Sequence, residues 1–189
     1  MTKGERSKRK IFSVAIQLFI RKGYDNVTVD EIVEQAQVAK GTFYIYFPTK
    51  AALIAYLFSD YDYLYTDFYE ELDKNEPAQD QLLSMVRKVL AVTKNDIGYD
   101  LTRIAYQYQL ENHIDSTDLK RPLYAILTAI IAEGQQTGQF NQAMEPEFYS
   151  QLLVRNLRGL IYEWCMMEAT FDILEQGSKY MDYLIRTIL

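Results

Sequence analysis

An all-α fold of about nine helices is what this 189-residue sequence predicts, and three observations carry it. Apolar residues recur three and four apart along most of the chain, as they do on one face of a helix. No segment shows the strict alternation of a half-buried strand. The punctuation is that of helix ends: Thr28 with Glu31 three residues on, Gly23 behind Arg21-Lys22, and Pro146 at the head of an apolar stripe.

The first helix is marked by Ile11, Ala15 and Leu18 beside Phe12, Ile16 and Phe19. Gly23 suits the left-handed residue that ends it, and Arg21 and Lys22 sit on the negative end of its dipole. VTVDEIVEQA opens the second: Thr28 is the N-cap, Glu31 completes a capping box, and Val27 staples onto Ile32. After a turn of about three residues, Gln37-Val38-Ala39, comes VAKGTFYIYF, in which Phe43 and Phe47 are four apart. That spacing predicts a very short third helix, clamped from behind by two rings, with Lys40, Gly41, Thr42, Tyr44 and Tyr46 on its other side.

Two helices joined so tightly, the second with a basic and hydroxylic outer face, form a helix-turn-helix, whose second helix enters the major groove of DNA by its first residues. Gly41 leaves room for close backbone approach, and Lys40 and Thr42 reach base edges or phosphates. Tyr44 and Tyr46 donate phenolic hydrogen bonds to phosphate. Thr28 and Lys50, at the heads of the flanking helices, complete the expected DNA-binding set. Pro48-Thr49-Lys50 ends the short helix and caps the next.

Charge supports a nucleic-acid partner at this end. The net charge of −6 conceals a split: residues 1–50 hold nine Lys and Arg against five Asp and Glu, the rest eleven against twenty-one. A basic module attached to an acidic body is oriented as it approaches phosphate. A composition of 49% hydrophobic and 24% charged residues suits a real core. The single cysteine, Cys165, excludes an internal disulfide, and no Cys/His spacing points to a metal. The longest charge-free stretch of the carboxy-terminal part, Pro122–Ala132, falls far short of the roughly 20 residues of a membrane span. A cytoplasmic protein, with no membrane partner, no metal and no cofactor, is expected.

The run TVDEIVEQAQVAKGTFYIYFPTKAAL, Thr28 to Leu53, closely resembles the signature of the tetracycline-repressor-like (TetR) family of bacterial transcriptional regulators. The resemblance covers about the first quarter of the chain directly. Three departures stand out. Gln37 replaces a turn glycine, at roughly 1–2 kcal/mol if the residue is left-handed. Ala39 replaces a serine cap, a loss of about 1 kcal/mol. Tyr46 stands where the family often has histidine.

Beyond the motif, one long helix is expected from Thr49 to about Asp73, with Leu53, Leu57, Leu64, Phe68 and Leu72 on one side and a length of about 35 Å. Further stripes follow: Leu82, Val86, Val89; Leu101, Ala105, Tyr108; Leu123, Leu127, Ile130; Leu153, Leu157, Trp164; and Met181, Leu184, Ile188, punctuated by Gly98, Gly138 and Pro146. The division expected is a DNA-binding domain over 1–48 and a helical effector-binding and dimerisation domain over 49–189.

The resemblance implies a homodimer, its interface formed by helices near 146–169 and 172–188, with Gly159, Met181, Leu184 and Ile188 as contact positions. The stripes alone serve equally to close a protomer's own core. It also implies an effector pocket, and Tyr61, Tyr65, Phe68, Met85, Tyr106, Gln109, His113 and Trp164 fall on helices that line it in relatives. Aromatic walls with few polar groups suit a small lipophilic or aromatic molecule. His113 beside Glu111 and Asp115 otherwise reads as a surface residue, and Cys165 as a small buried hydrophobe. The function implied is a repressor released from a palindromic operator on double-stranded DNA by its effector. The alternative is a helical ligand carrier or enzyme whose basic helices only cover the body, but the chain carries no nucleophile–base pairing or phosphate-cradling glycine loop.

Overall fold

The computed structural model describes residues 3–113 and 118–189, and of residues 3, 55 and 57–63 the backbone only. Nine α-helices and no strand occur among the described residues: α1 (Lys3–Lys22), α2 (Val29–Ala36), α3 (Lys40–Tyr46), α4 (Lys50–Glu71), α5 (Ala78–Ala91), α6 (Gly98–Glu111), α7 (Pro122–Gln136), α8 (Pro146–Met166) and α9 (Ile173–Ile188). A π-helical segment, Val92–Ile97, joins α5 to α6. No helix is long and apolar enough to cross a membrane among the described residues.

These elements form two compact units, residues 1–58 with 100–114, and residues 59–99 with 115–189. The unit holding the helix-turn-helix is wider than the expected 1–48, because Leu53 and Ile54 on α4 are fully buried in it. α4 supplies residues to both units, which explains one failed expectation. Leu53 and Leu64 lie about three turns apart on one face, yet Leu53 is buried and Leu64 is 40% exposed, while neighbouring Tyr65 is buried instead. A helix serving two cores need not bury the same face in each.

In the first unit α1, α2 and α3 pack on one another through Ile11, Leu18, Ile32, Ala36 and Phe43. Gly23 takes a φ of +80° and ends α1 as expected. Thr28 caps α2, its hydroxyl accepting from the Glu31 N–H at 3.2 Å. Only that half of the capping box forms, since the Glu31 carboxylate pairs instead with Lys22 of α1.

In the second unit α5 packs on α7 and α9, and α8 on both α7 and α9. Within the protomer the close helix approach falls at Gly177. A Cβ at Gly177 would stand 2.6 Å from Leu160 and 3.0 Å from Leu90, whereas one at Gly159 meets nothing within 4 Å. Asn141 gathers several ends: its side-chain amide donates to the Ile188 and Leu189 carbonyls, both at 2.9 Å, and its oxygen accepts from the Tyr149 hydroxyl at 2.7 Å. The Thr93 hydroxyl, in the π-helical segment, donates back to the Val89 carbonyl of α5 at 2.9 Å, and Gly98 closes the segment at a φ of +77°. Cys165 is buried on α8.

Candidate DNA-binding surface

The short helix α3 has seven residues, too few to be stable alone in water. Packing holds it. Phe43 and Phe47 are buried with ring centroids 5.8 Å apart, Phe47 meets Tyr56 of α4 at 5.8 Å, and Tyr56 meets Phe12 of α1 edge-on at 5.2 Å. The Lys8 ammonium lies 3.9 Å from the Tyr56 ring centre, a cation–π contact on the outside of this stack.

The turn before α3 takes the strain foreseen for it. Gln37 is left-handed, φ 53° and ψ 48°, and closes a Schellman motif: its N–H reaches the Glu34 carbonyl, and the Val38 N–H reaches the Val33 carbonyl at 3.0 Å. Ala39 stands at the N-cap of α3 with no side-chain cap. The turn therefore keeps its geometry without the two residues best suited to it, held by Phe43 and Phe47 beneath.

With its back buried, α3 exposes Lys40, Gly41, Tyr44 and Ile45, and half-buries Thr42 and Tyr46. Space around Gly41 is open, so another backbone can come close there. Thr28 is exposed at the head of α2. The Lys40 ammonium lies 2.6 Å from the Asp30 carboxylate, and that hydrogen bond and its charge raise the lysine's pKa.

Lys50 departs from its expected role. Its ammonium donates to the Tyr24 and Val27 carbonyls at 2.7 and 2.8 Å and lies 4.1 Å from the Tyr24 ring centre. Desolvation lowers its pKa, partly offset by Asp25. It clamps the start of α4 to the loop between α1 and α2. The cause is local: that loop leaves two carbonyls pointing at the head of α4, and a lysine there satisfies both. Thr49 caps α4 as expected, accepting from the Ala52 N–H at 3.0 Å.

Two residues on this surface were not picked out from sequence. Ile45 is 75% exposed although large and apolar, and Asp30 faces Lys40. A signal for Ile45 existed: it lies two residues from both Phe43 and Phe47, about 200° round the helix from each.

The expected effector residues are divided between the units. Tyr65, Met85 and Trp164 are buried in the second, where the Trp164 N–H donates to the Phe171 carbonyl at 3.1 Å. Phe68 is half-buried and lines an open groove of about 910 Å³ between α5 and α9, beside Leu83, Arg87, Lys88, Leu174 and Lys179. Lys88 holds its ammonium 5.2 Å from the Phe68 ring centre. Tyr106, Gln109 and His113 belong to the first unit, half-buried, buried and exposed in turn. The Tyr61 side chain lies outside the described residues. Of the expected interface residues, Gly159 is exposed and Leu184 and Ile188 half-buried, but Met181 is fully buried in the protomer's own core.

A short helix locked against two others, with a cation, a glycine and a phenol on its free side, defines a helix-turn-helix DNA-binding protein. Comparison with known proteins carries this further. Residues 11–57 match the family described as bacterial regulatory proteins, tetR family, and residues 61–187 match the YsiA-like protein, C-terminal region. The chain belongs to the tetR family and is a DNA-binding transcriptional regulator. It is 22% identical to the fatty acid metabolism regulator protein of Bacillus subtilis over 95% of this chain and 94% of that one. Its fold resembles the solved Thermus thermophilus FadR, a repressor in complex with lauroyl-CoA, with a TM-score of 0.73, 20% identity, and coverage of 94% of this chain and 92% of that one. It also resembles Bacillus subtilis FadR in complex with stearoyl-CoA, with a TM-score of 0.66, 22% identity, and coverage of 94% and 96%.

Proposed function

We propose that this regulator is a homodimeric repressor that leaves its operator when a fatty acyl-CoA thioester binds the second unit. The observation that carries the DNA half is the free face of α3, presented rigidly because Phe43 and Phe47 are buried behind it. Lys40 and Thr42 meet base edges or phosphates, Gly41 admits the backbone, and Tyr44, Tyr46 and Thr28 donate to phosphate oxygens. Lys50 acts one step back, by fixing the loop beside α2.

Support for the effector comes from the similarity to a fatty acid metabolism regulator and to two proteins solved with acyl-CoA bound. An acyl thioester needs apolar walls for its chain and cations for its phosphates. The groove beside Phe68 offers Leu83 and Leu174 together with Arg87 and Lys88, while its other cations, Lys179 and Arg186, are paired with Glu175 and Asp182. The dimer reading rests on α8 and α9, whose outer sides expose Phe148, Tyr162 and Met166, and Tyr180 and Tyr183. Gly159 on that side leaves room for a partner's helix. Two copies place their reading helices about 34–36 Å apart, one turn of DNA.

Release is a population shift: the effector prefers a state with lower DNA affinity, and coupling of about 1–3 kcal/mol lowers that affinity roughly 5–150-fold. Nuclease footprinting on the DNA flanking its own gene, with palmitoyl-CoA, free CoA and resorcinol added in turn, tests the reading. A protected near-palindrome lost only with palmitoyl-CoA is the expected result. Protection that survives palmitoyl-CoA overturns the effector, and no protection at any site overturns the repressor.

A further inference from the structure

We propose that Asp30 is a specificity-determining residue, acting with Lys40 as one carboxylate–ammonium unit that admits DNA only where an exocyclic amino group meets the carboxylate. The inference rests on the regulator reading above. Asp30 is the second residue of α2 and Lys40 the first of α3, and their 2.6 Å pair joins the heads of the two helices of the motif. Both side chains are exposed, at 71% and 53%. A pair so exposed adds little to folding. Its consequence lies instead at the surface that meets DNA, since a recognition helix enters the major groove head first.

An ionised carboxylate there only accepts hydrogen bonds. Most of what DNA presents to it also only accepts: phosphate oxygens, guanine O6 and N7, thymine O4. The donors in the major groove are the amino groups of cytosine N4 and adenine N6. A site that offers neither sets carboxylate against acceptors, so the wrong sequence is penalised as well as unrewarded. Lys40 has three N–H donors, one of them directed to Asp30, which leaves two for an acceptor pair such as guanine O6 and N7. Carboxylate and ammonium side by side match the amino group of cytosine beside the acceptors of guanine. The same pairing restrains Lys40 from unrelated phosphates, because contact with them must first break the bond to Asp30. Glu31, the next acid along α2, has no such role, its carboxylate being paired with Lys22 on α1.

The test is selection by the full chain from a pool of random-sequence duplexes, followed by affinity for the selected duplex and for a scrambled one across a salt series. Asp30→Asn, Lys40→Ala and, as a charge control, Glu34→Gln at an exposed acid elsewhere on α2 are run beside the wild type. The wild type is expected to prefer a G·C pair at one position of each half-site by about tenfold. Asp30→Asn and Lys40→Ala should both erase that preference. Asp30→Asn should also bind the scrambled duplex more tightly and with a steeper salt dependence, while Glu34→Gln leaves the preference in place. Thermal melts show whether each variant is folded, and Lys40→Ala keeps the test decisive if Asp30→Asn is not. Unchanged base preferences in Asp30→Asn overturn the inference. So does a preference lost in Asp30→Asn but kept in Lys40→Ala, or lost equally in Glu34→Gln. A wild type that enriches no sequence defeats the regulator reading itself.

Discussion

The first unit braces the eight-residue α2 and seven-residue α3 against the twenty-residue α1, with aromatic rings stacked behind α3; the second packs helices of 14 to 21 residues through aliphatic side chains, with Leu82, Leu90, Leu127, Ile131 and Leu153 among those buried. In the first, the chemistry lies one residue away from the rings, so packing and function share a seven-residue helix. In the second, the groove beside Phe68 and the outer faces of α8 and α9 sit on helices already stabilised by other residues. Charge sharpens the contrast. The first unit is the basic one, yet Lys22 is paired with Glu31, Lys40 with Asp30, and Lys50 with two carbonyls. A count of cations overstates how many stand ready for phosphate.

The largest expected effect tests whether the two cores are independent. Phe43→Ala should cost about 3–5 kcal/mol in the first unit. Trp164, the sole tryptophan, lies in the second. Urea unfolding followed by tryptophan fluorescence should shift little if the units unfold separately, and by the full amount if they unfold as one. Next comes Gly177→Ala, which forces a methyl group against Leu160 and Leu90 and should cost about 1–3 kcal/mol. Gly159→Ala, inside α8 with open space at its Cβ, should instead raise protomer stability by about 0.5–1 kcal/mol.

A smaller pair separates clamp from contact. Lys50→Met leaves two carbonyls without their donor and should lower stability by about 1–2 kcal/mol, with the salt slope of DNA binding retained. Lys40→Ala should do the reverse, weakening binding to the operator several-fold with the melting temperature unmoved, because its exposed pair with Asp30 adds little to folding. The smallest effects are gains. Gln37→Gly relieves a left-handed residue and Ala39→Ser supplies a missing cap, each worth about 1 kcal/mol in thermal melts.

Local signals explain why the first unit was the more legible. Thr28, Gly23, Thr49 and the Phe43–Phe47 spacing act over four residues or fewer, so the sequence displays the whole cause. Gln37 is different, since its left-handed turn was expected only because the family it resembles has a glycine there. Lys50 was misread because its partners, Tyr24 and Val27, lie more than twenty residues away. Met181 was assigned to an interface because an apolar stripe does not reveal which core receives it. Leu64 failed for a related reason, as one helix feeds two units and its periodicity is not the same throughout. The π-helical segment after Ala91 had no visible cue, because its buried Val92, Thr93 and Ile97 fit a helical stripe of either pitch.

Cys165, the single thiol of the chain, is buried on α8 and so is a poor target for alkylating reagents. A cysteine introduced on the outside of α1, as in Ser13→Cys, therefore becomes the one position that a nitroxide label marks quickly. Pulsed magnetic resonance on such a singly labelled sample reads the separation between the two copies of the proposed dimer directly, with and without an acyl thioester in the tube.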